Sequence, residues 1–169
     1  FNNTGDRIYY QTGGSIFGSL NKGFGSYKTD GSDDRPIFKS TYASQFRVSP
    51  DGNWVAFTDL HEVYIAAFPA TGRQIEIGSG SKSIPVKIVS KDAGINLHWS
   101  SDGQQLHYTL GDQYYSIHLA DRFEFIANKP DSAFKAPEKG ISVGLTVAAD
   151  KPSGMLAFTN ARIITMNGD

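Results

Sequence analysis

The stretch SPDGNWVAFT at residues 49–58 returns as SSDGQQLHYT at residues 100–109. With Ser49 laid on Ser100, Asp51 falls on Asp102, Gly52 on Gly103, Phe57 on Tyr108, Thr58 on Thr109, Tyr64 on Tyr115 and Phe68 on Leu119, without a gap. A phase lock of that length makes each copy one structural unit that stacks on the next, because a single small sheet cannot bury its own faces.

Both copies parse alike. The first reads as an extended SQFRV (44–48), a turn SPDGN, a strand WVAFT (54–58), a reversal at 60–62, a strand VYIAAF (63–68), a turn PATGR and a strand QIEIG (74–78). The second runs INLHW (95–99), SSDGQ, QLHYT (105–109), LGDQ, YYSIHL (114–119) and RFEFI (122–126). Asp-Gly between two extended runs is a strong hairpin signal, since such turns demand positive φ. Each copy is thus predicted to be a four-stranded antiparallel meander. Val55 and Phe57 point to one face of their strand and Trp54 and Ala56 to the other, so that strand needs cover on both sides. Four strands per 40 to 50 residues, dry on both faces, is the spacing of a β-propeller. A β-sandwich of unrelated hairpins is the rival reading, and it does not account for the phase lock.

The opening residues fit as a third, incomplete copy. Gly5 to Gln11 lies over Gly52 to Thr58, Thr29-Asp30-Gly31 lies over Ala70-Thr71-Gly72, and PIFKS (36–40) supplies the outer strand. The strand that should precede Gly5 is missing, and GGSIFGSLNKGFGSYK holds a longer loop or an insertion. A fourth copy is expected to begin at GISVGLTV (140–147). The chain is therefore all-β, a partial β-propeller of about three to four blades: 1–40 incomplete, 41–90 and 91–127, followed by a connector over 128–152 with room for one strand. Bare blade faces predict self-association or further blades as partners.

Sixteen basic and seventeen acidic residues give a net charge of -1, which provides no electrostatic footprint for nucleic acid. Cysteine is absent, so disulfides and thiolate chemistry are excluded. No apolar run approaches the roughly 18 residues of a transmembrane helix. Phe1 begins the chain without an initiator methionine, which reads as a processed or constructed end.

Ser49-Pro50-Asp51-Gly52, with an apolar strand ending in aromatic-threonine, a strand near VYI and a T-G-R turn, resembles the TolB-type β-propeller repeat. Ser100-Ser101-Asp102-Gly103 lacks the proline but keeps the turn-forming pair. The resemblance spans about residues 4–127 and implies that Ser49, Pro50, Asp51, Gly52, Ser100, Asp102 and Gly103 are structural. LAFTNARIITMNGD (156–169) resembles the opening strand of the small β-sandwich of the amidohydrolase superfamily, and one branch of that superfamily carries a TolB-type propeller ahead of it. Residues 153–169 are then the first strands of a downstream amidohydrolase-type sandwich; the alternative, a further blade, rests on the likeness of Gly154–Thr159 to Gly52–Thr58.

The amidohydrolase resemblance implies a non-catalytic scaffold within an exported, periplasmic or extracellular metal-dependent hydrolase of C–N bonds. Zinc or another divalent metal would sit in the downstream domain only. A TolB-like interaction propeller without activity and a gating propeller of a serine peptidase are the rival functions. Within this chain no catalytic residue is assigned. His61, His98, His107 and His118 form neither HxH nor HExxH. His98 and His107, on adjacent strands either side of the Asp-Gly turn, are the only candidates for metal ligation. No G-x-S-x-G elbow occurs. The acidic run Asp30-Gly31-Ser32-Asp33-Asp34 lacks the ligand spacing of a calcium loop and reads as a solvated turn.

Overall fold

The computed structural model describes residues 1–14, 20–69, 72–123, 126, 134–144, 146–151, 153–155 and 157–167. They form an all-β structure of three four-stranded sheets. The first is ordered β1 (Arg7–Gly13), β2 (Lys22–Lys28), β3 (Arg35–Ser40), β7 (Ile75–Glu76). The second is β4 (Ala43–Val48), β5 (Trp54–Asp59), β6 (Glu62–Ala67), β8 (Val86–Ile88). The third runs β9 (Ile95–Trp99), β10 (Gln105–Leu110), β11 (Gln113–His118), β12 (Ile141–Ser142), with one helical turn, α1 (Leu119–Arg122), after β11.

The sheets stack face to face, and β5 shows why. All six of its residues are buried. Val55 and Phe57 join Phe24, Phe38 and Phe46 in the core between the first and second sheets. Trp54 and Ala56 join Leu97, Leu106, Tyr108 and Phe123 in the core between the second and third. The first core is an aromatic stack, with Phe46 set 4.8 Å from Phe24 and 5.7 Å from Phe57 between ring centroids. The Trp-bearing and His-bearing strands thus lie in separate, stacked sheets. Burying each of these large side chains contributes about 1.5–3 kcal/mol.

The repeat is visible atom by atom. Ser49 N–H donates to Trp54 O at 2.8 Å and Ser100 N–H to Gln105 O at 2.9 Å. Ser49 Oγ receives Trp54 N–H at 3.0 Å, and Ser100 Oγ receives Gln105 N–H at 2.9 Å. Gly52 and Gly103 have φ of 73° and 70°. In the opening copy Asn2 takes the serine's place: its N–H donates to Arg7 O at 3.0 Å, its Oδ1 receives Arg7 N–H at 3.0 Å, and Gly5 has φ 73°. The incomplete copy therefore keeps the same turn with an amide in place of a hydroxyl. Gln45 and Asn96, 51 residues apart, both have positive φ, 53° and 57°, where β4 and β9 shift register against their partners.

Three expectations need correction. QIEIG does not close its own sheet: Ile75–Glu76 pairs parallel to β3 of the first sheet, which is therefore mixed. The crossing sets Ile75 and buried Ile77 beside Phe38, and Val86–Ile88 takes the vacated outer place beside β6. RFEFI is not a strand over its described part, since Arg122 ends α1 and Phe123 caps it with its N–H on Leu119 O. Residues 124 and 125 lie outside the described residues. Among the described residues GISVGLTV starts no fourth sheet; Ile141–Ser142 completes the third by pairing with β11, and residue 145 lies outside the described set. Alternation identifies a strand but not the edge it joins, so these short outer strands were open to exchange.

Among the described residues no helix is long and apolar enough to cross a membrane.

Candidate functional site

The strands of the third sheet present one face to the core and the other to solvent. Leu97, Leu106, Tyr108, Tyr115 and Ile117 face inward. The alternating positions outward are Asn96 and His98 on β9, His107 and Thr109 on β10, and Tyr114, Ser116 and His118 on β11. This outward face is polar, so bare dry faces, the basis for expecting association, do not apply to it.

At its centre His98 and His107 are direct cross-strand partners. Their rings stack at 5.1 Å between centroids, and Tyr114 adds a third ring 5.4 Å from His107. His98 Nδ1 donates to the carbonyl of Asn96 at 3.0 Å, which leaves Nε2 as the acceptor for the Tyr114 hydroxyl at 3.3 Å. His107 Nδ1 pairs with Ser116 Oγ at 2.8 Å. Burial, then the charges of His98 and His118, push the His107 imidazole below the usual histidine range. Two stacked rings carry their in-plane lone pairs side by side, whereas chelation needs lone pairs that converge on one ion. Among the described residues no group of three or more His, Cys, Asp or Glu side chains could hold a metal ion. The structure thus brings the two candidate ligands together as an aromatic, hydrogen-bonding platform. His61 is exposed in the reversal between β5 and β6, and His118 is exposed at the end of β11.

The Asp-Gly turns are self-contained. Asp51 accepts from Ser49 Oγ at 2.5 Å and from Asn53 N–H at 3.2 Å and Nδ2 at 2.7 Å. Burial works against its charge, but the bonds from Ser49 and Asn53 outweigh it and hold the carboxyl below the usual range. Asp102, with Ser100 Oγ at 2.5 Å and Gln104 N–H at 3.0 Å, is lowered in the same way. These carboxylates are engaged in holding backbone. In the acidic run, Asp30 accepts from Ser32 N–H, Asp33 bridges Arg7 and Arg35, and Asp34 accepts from the Tyr10 hydroxyl.

Two clefts were not foreseen. One of about 520 Å³ lies between the first sheet and the end of β6, over Tyr9, Ile37 and Phe68, with Arg7, Asp33 and Arg35 at its rim. The other, about 320 Å³, lies between Asn2, Asn3 and Tyr9 on one side and Val48, Pro50 and Trp99 on the other. Each draws its lining from all over the repeat, so no local motif announces it.

No family model matches the sequence, and no curated protein does.

Proposed function

We propose that this chain is a non-catalytic scaffold, a TolB-type partial β-propeller placed ahead of the metal-dependent barrel of an exported amidohydrolase. The observation that carries the reading is the turn geometry repeated in three successive sheets at Asn2–Arg7, Ser49–Trp54 and Ser100–Gln105. The strands β4 and β9, first in their copies, adjoin each other through Trp99 Nε1–H on Arg47 O at 2.9 Å and Asn96 N–H on Gln45 Oε1 at 3.2 Å. Adjacent first strands are what stacked propeller blades require at the ring's inner rim. The resemblance carried by Asn160-Ala161-Arg162 is what favours a downstream sandwich over another blade, and Phe158, Ile163, Ile164 and Met166 are exposed and belong to neither core cluster. Such a run needs a partner surface outside the three sheets.

The test is an assay with zinc or manganese on acylated amino acids and dipeptides. Residues 1–169 are expected to leave them intact, while a protein extended through a metal barrel hydrolyses them. Turnover by residues 1–169 overturns the scaffold reading. A continuation of the reading frame without an HxH pair overturns the amidohydrolase part.

A further inference from the structure

The two interfaces between sheets treat one place differently. In the register that lays Gly5 to Gln11 over Gly52 to Thr58, Arg7 falls on Trp54. In the register that lays Phe68 on Leu119, Gly72 falls on Phe123. Between the second and third sheets this place is filled, with the Trp54 and Phe123 rings 4.5 Å apart between centroids. Between the first and second sheets the same positions carry a guanidinium and a glycine, and both line the cleft of about 520 Å³. A space that two aromatic rings fill in one interface is thus open in the other. It crosses the face of the first sheet from Tyr9 on β1 through Ser26 on β2 to Ile37 on β3, under Phe68 and Pro69, and so does not lie on the sheet's edge. Its volume is that of a small-ligand pocket.

The floor is apolar and the rim is cationic. Tyr9, Ile37 and Phe68 are half-buried and pack on the core, and Phe68 meets Tyr9 edge-on at 6.0 Å. Among the charged lining residues, Arg7, Arg35 and Arg73 set three positive charges against two negative ones on Asp33 and Asp34. Both carboxylates are already engaged. Asp33 accepts from Arg7 Nη1 at 2.8 Å and from Arg35 Nε at 2.9 Å and Nη2 at 2.6 Å, and Asp34 accepts from the Tyr10 hydroxyl at 2.5 Å. Arg7 is fixed further by its bonds to Ser26 Oγ, Ser26 O and Asp33 O. Arg35 is more than half exposed and keeps Nη1 without a partner among the described residues. The Tyr9 hydroxyl has no hydrogen-bond partner among them either. Burial raises its pKa above the usual tyrosine range, so it keeps its proton and can donate.

We propose that this cleft binds a small monoanion built from one carboxylate and one flat apolar ring. The ring lies against Tyr9, Ile37 and Phe68, where the next interface holds a ring pair of its own. The carboxylate meets Arg35 and the Tyr9 hydroxyl at the rim, a match of guanidinium fork to carboxylate. The surplus of one positive charge suits a carboxylate better than a phosphate dianion. The proposal uses the first two sheets only and is independent of any domain that follows the chain.

The probe is indole-3-propionate, titrated into the whole chain and followed by amide NMR, with indole-3-propionamide as its neutral twin. Saturable binding with a Kd of about 1 mM or tighter, ordinary for a ligand of this size, is expected, with shifts centred on Tyr9, Ile37 and Phe68. The amide should bind at least about tenfold more weakly, which is the loss of one charge-assisted hydrogen bond. Arg35→Gln should erase the difference between acid and amide. Lys39→Gln, which removes a charge from the same strand outside the cleft, should preserve it. No saturable binding, shifts centred elsewhere, equal binding of acid and amide, or a difference that survives Arg35→Gln each overturns the proposal. The comparison of acid with amide is made on the native chain, so it decides the matter even where Arg35→Gln fails to fold.

Discussion

Ser49 is the most committed single side chain in the repeat: it is buried, receives Trp54 N–H, and donates to Asp51 Oδ1 or Trp54 O. Ser49→Ala strands the Trp54 N–H away from water and is expected to cost about 1–3 kcal/mol. Ser100→Ala should cost less, because Ser100 is only half-buried and water can replace its hydroxyl. Urea midpoints of the two variants give the comparison. Asp51 carries a pH dependence. Its folded pKa lies below the unfolded value of about 3.9, so its contribution is complete above that pH and is lost as pH falls through the folded value. The stability gap between the native chain and Asp51→Asn should therefore narrow below about pH 4. At the reversal between β5 and β6, Leu60 has φ 57° and is exposed, while the matching residue of the next copy is Gly111 at φ 59°. Leu60→Gly relieves the left-handed strain at some entropic cost and should stabilise the fold by up to about 1 kcal/mol, read as a raised Tm.

Between elements, spacing is set by small residues where sheets meet. A Cβ on Gly94 would lie 2.4 Å from Val63 Cγ2 and 2.6 Å from Tyr108 Cδ2, which belong to the second and third sheets. Both neighbours are fully buried and have nowhere to retreat. Gly94→Ala is expected to cost about 1–3 kcal/mol through overpacking, whereas Gly80→Ala, with nothing within 4 Å of its Cβ, should be near neutral. Chemical denaturation of the pair checks it. Much at this scale was legible: the inner strands and both faces of β5 follow from alternation and turn chemistry, whereas the reversals expected over 60–62 and LGDQ are two residues each, between Asp59 and Glu62 and between Leu110 and Gln113. The crossing of Ile75–Glu76 was not, because a two-residue strand carries no pattern and goes wherever its isoleucines bury. Nor was the role of Asn2, since amide and hydroxyl meet the same backbone demand with different letters.

For the whole molecule, the balance lies between two well-filled cores and an uncovered tail. Met155, Phe158 and Met166 are 99%, 84% and 89% exposed. Residues 1–169 are expected to associate through this segment, and a chain ending at Gly144 to sediment as a monomer. Association that survives the truncation would move the contact to the sheets. The polar outer face of the third sheet, with its stacked His98 and His107, gives no hydrophobic reason to associate there.

The amino-acid sequence by itself determined the unit and its period. Asp-Gly turns and strict alternation are local demands of φ and of side-chain direction, and they hold wherever the strand ends up. It also determined that β5 must be covered twice, since four adjacent residues from Trp54 to Phe57 are all apolar or small. Tertiary structure alone decided which sheet received each short outer strand, that the two histidines stack instead of converging, and that a cleft forms between Tyr9 and Trp99. Those outcomes depend on distances between residues far apart in the chain, which no local pattern encodes.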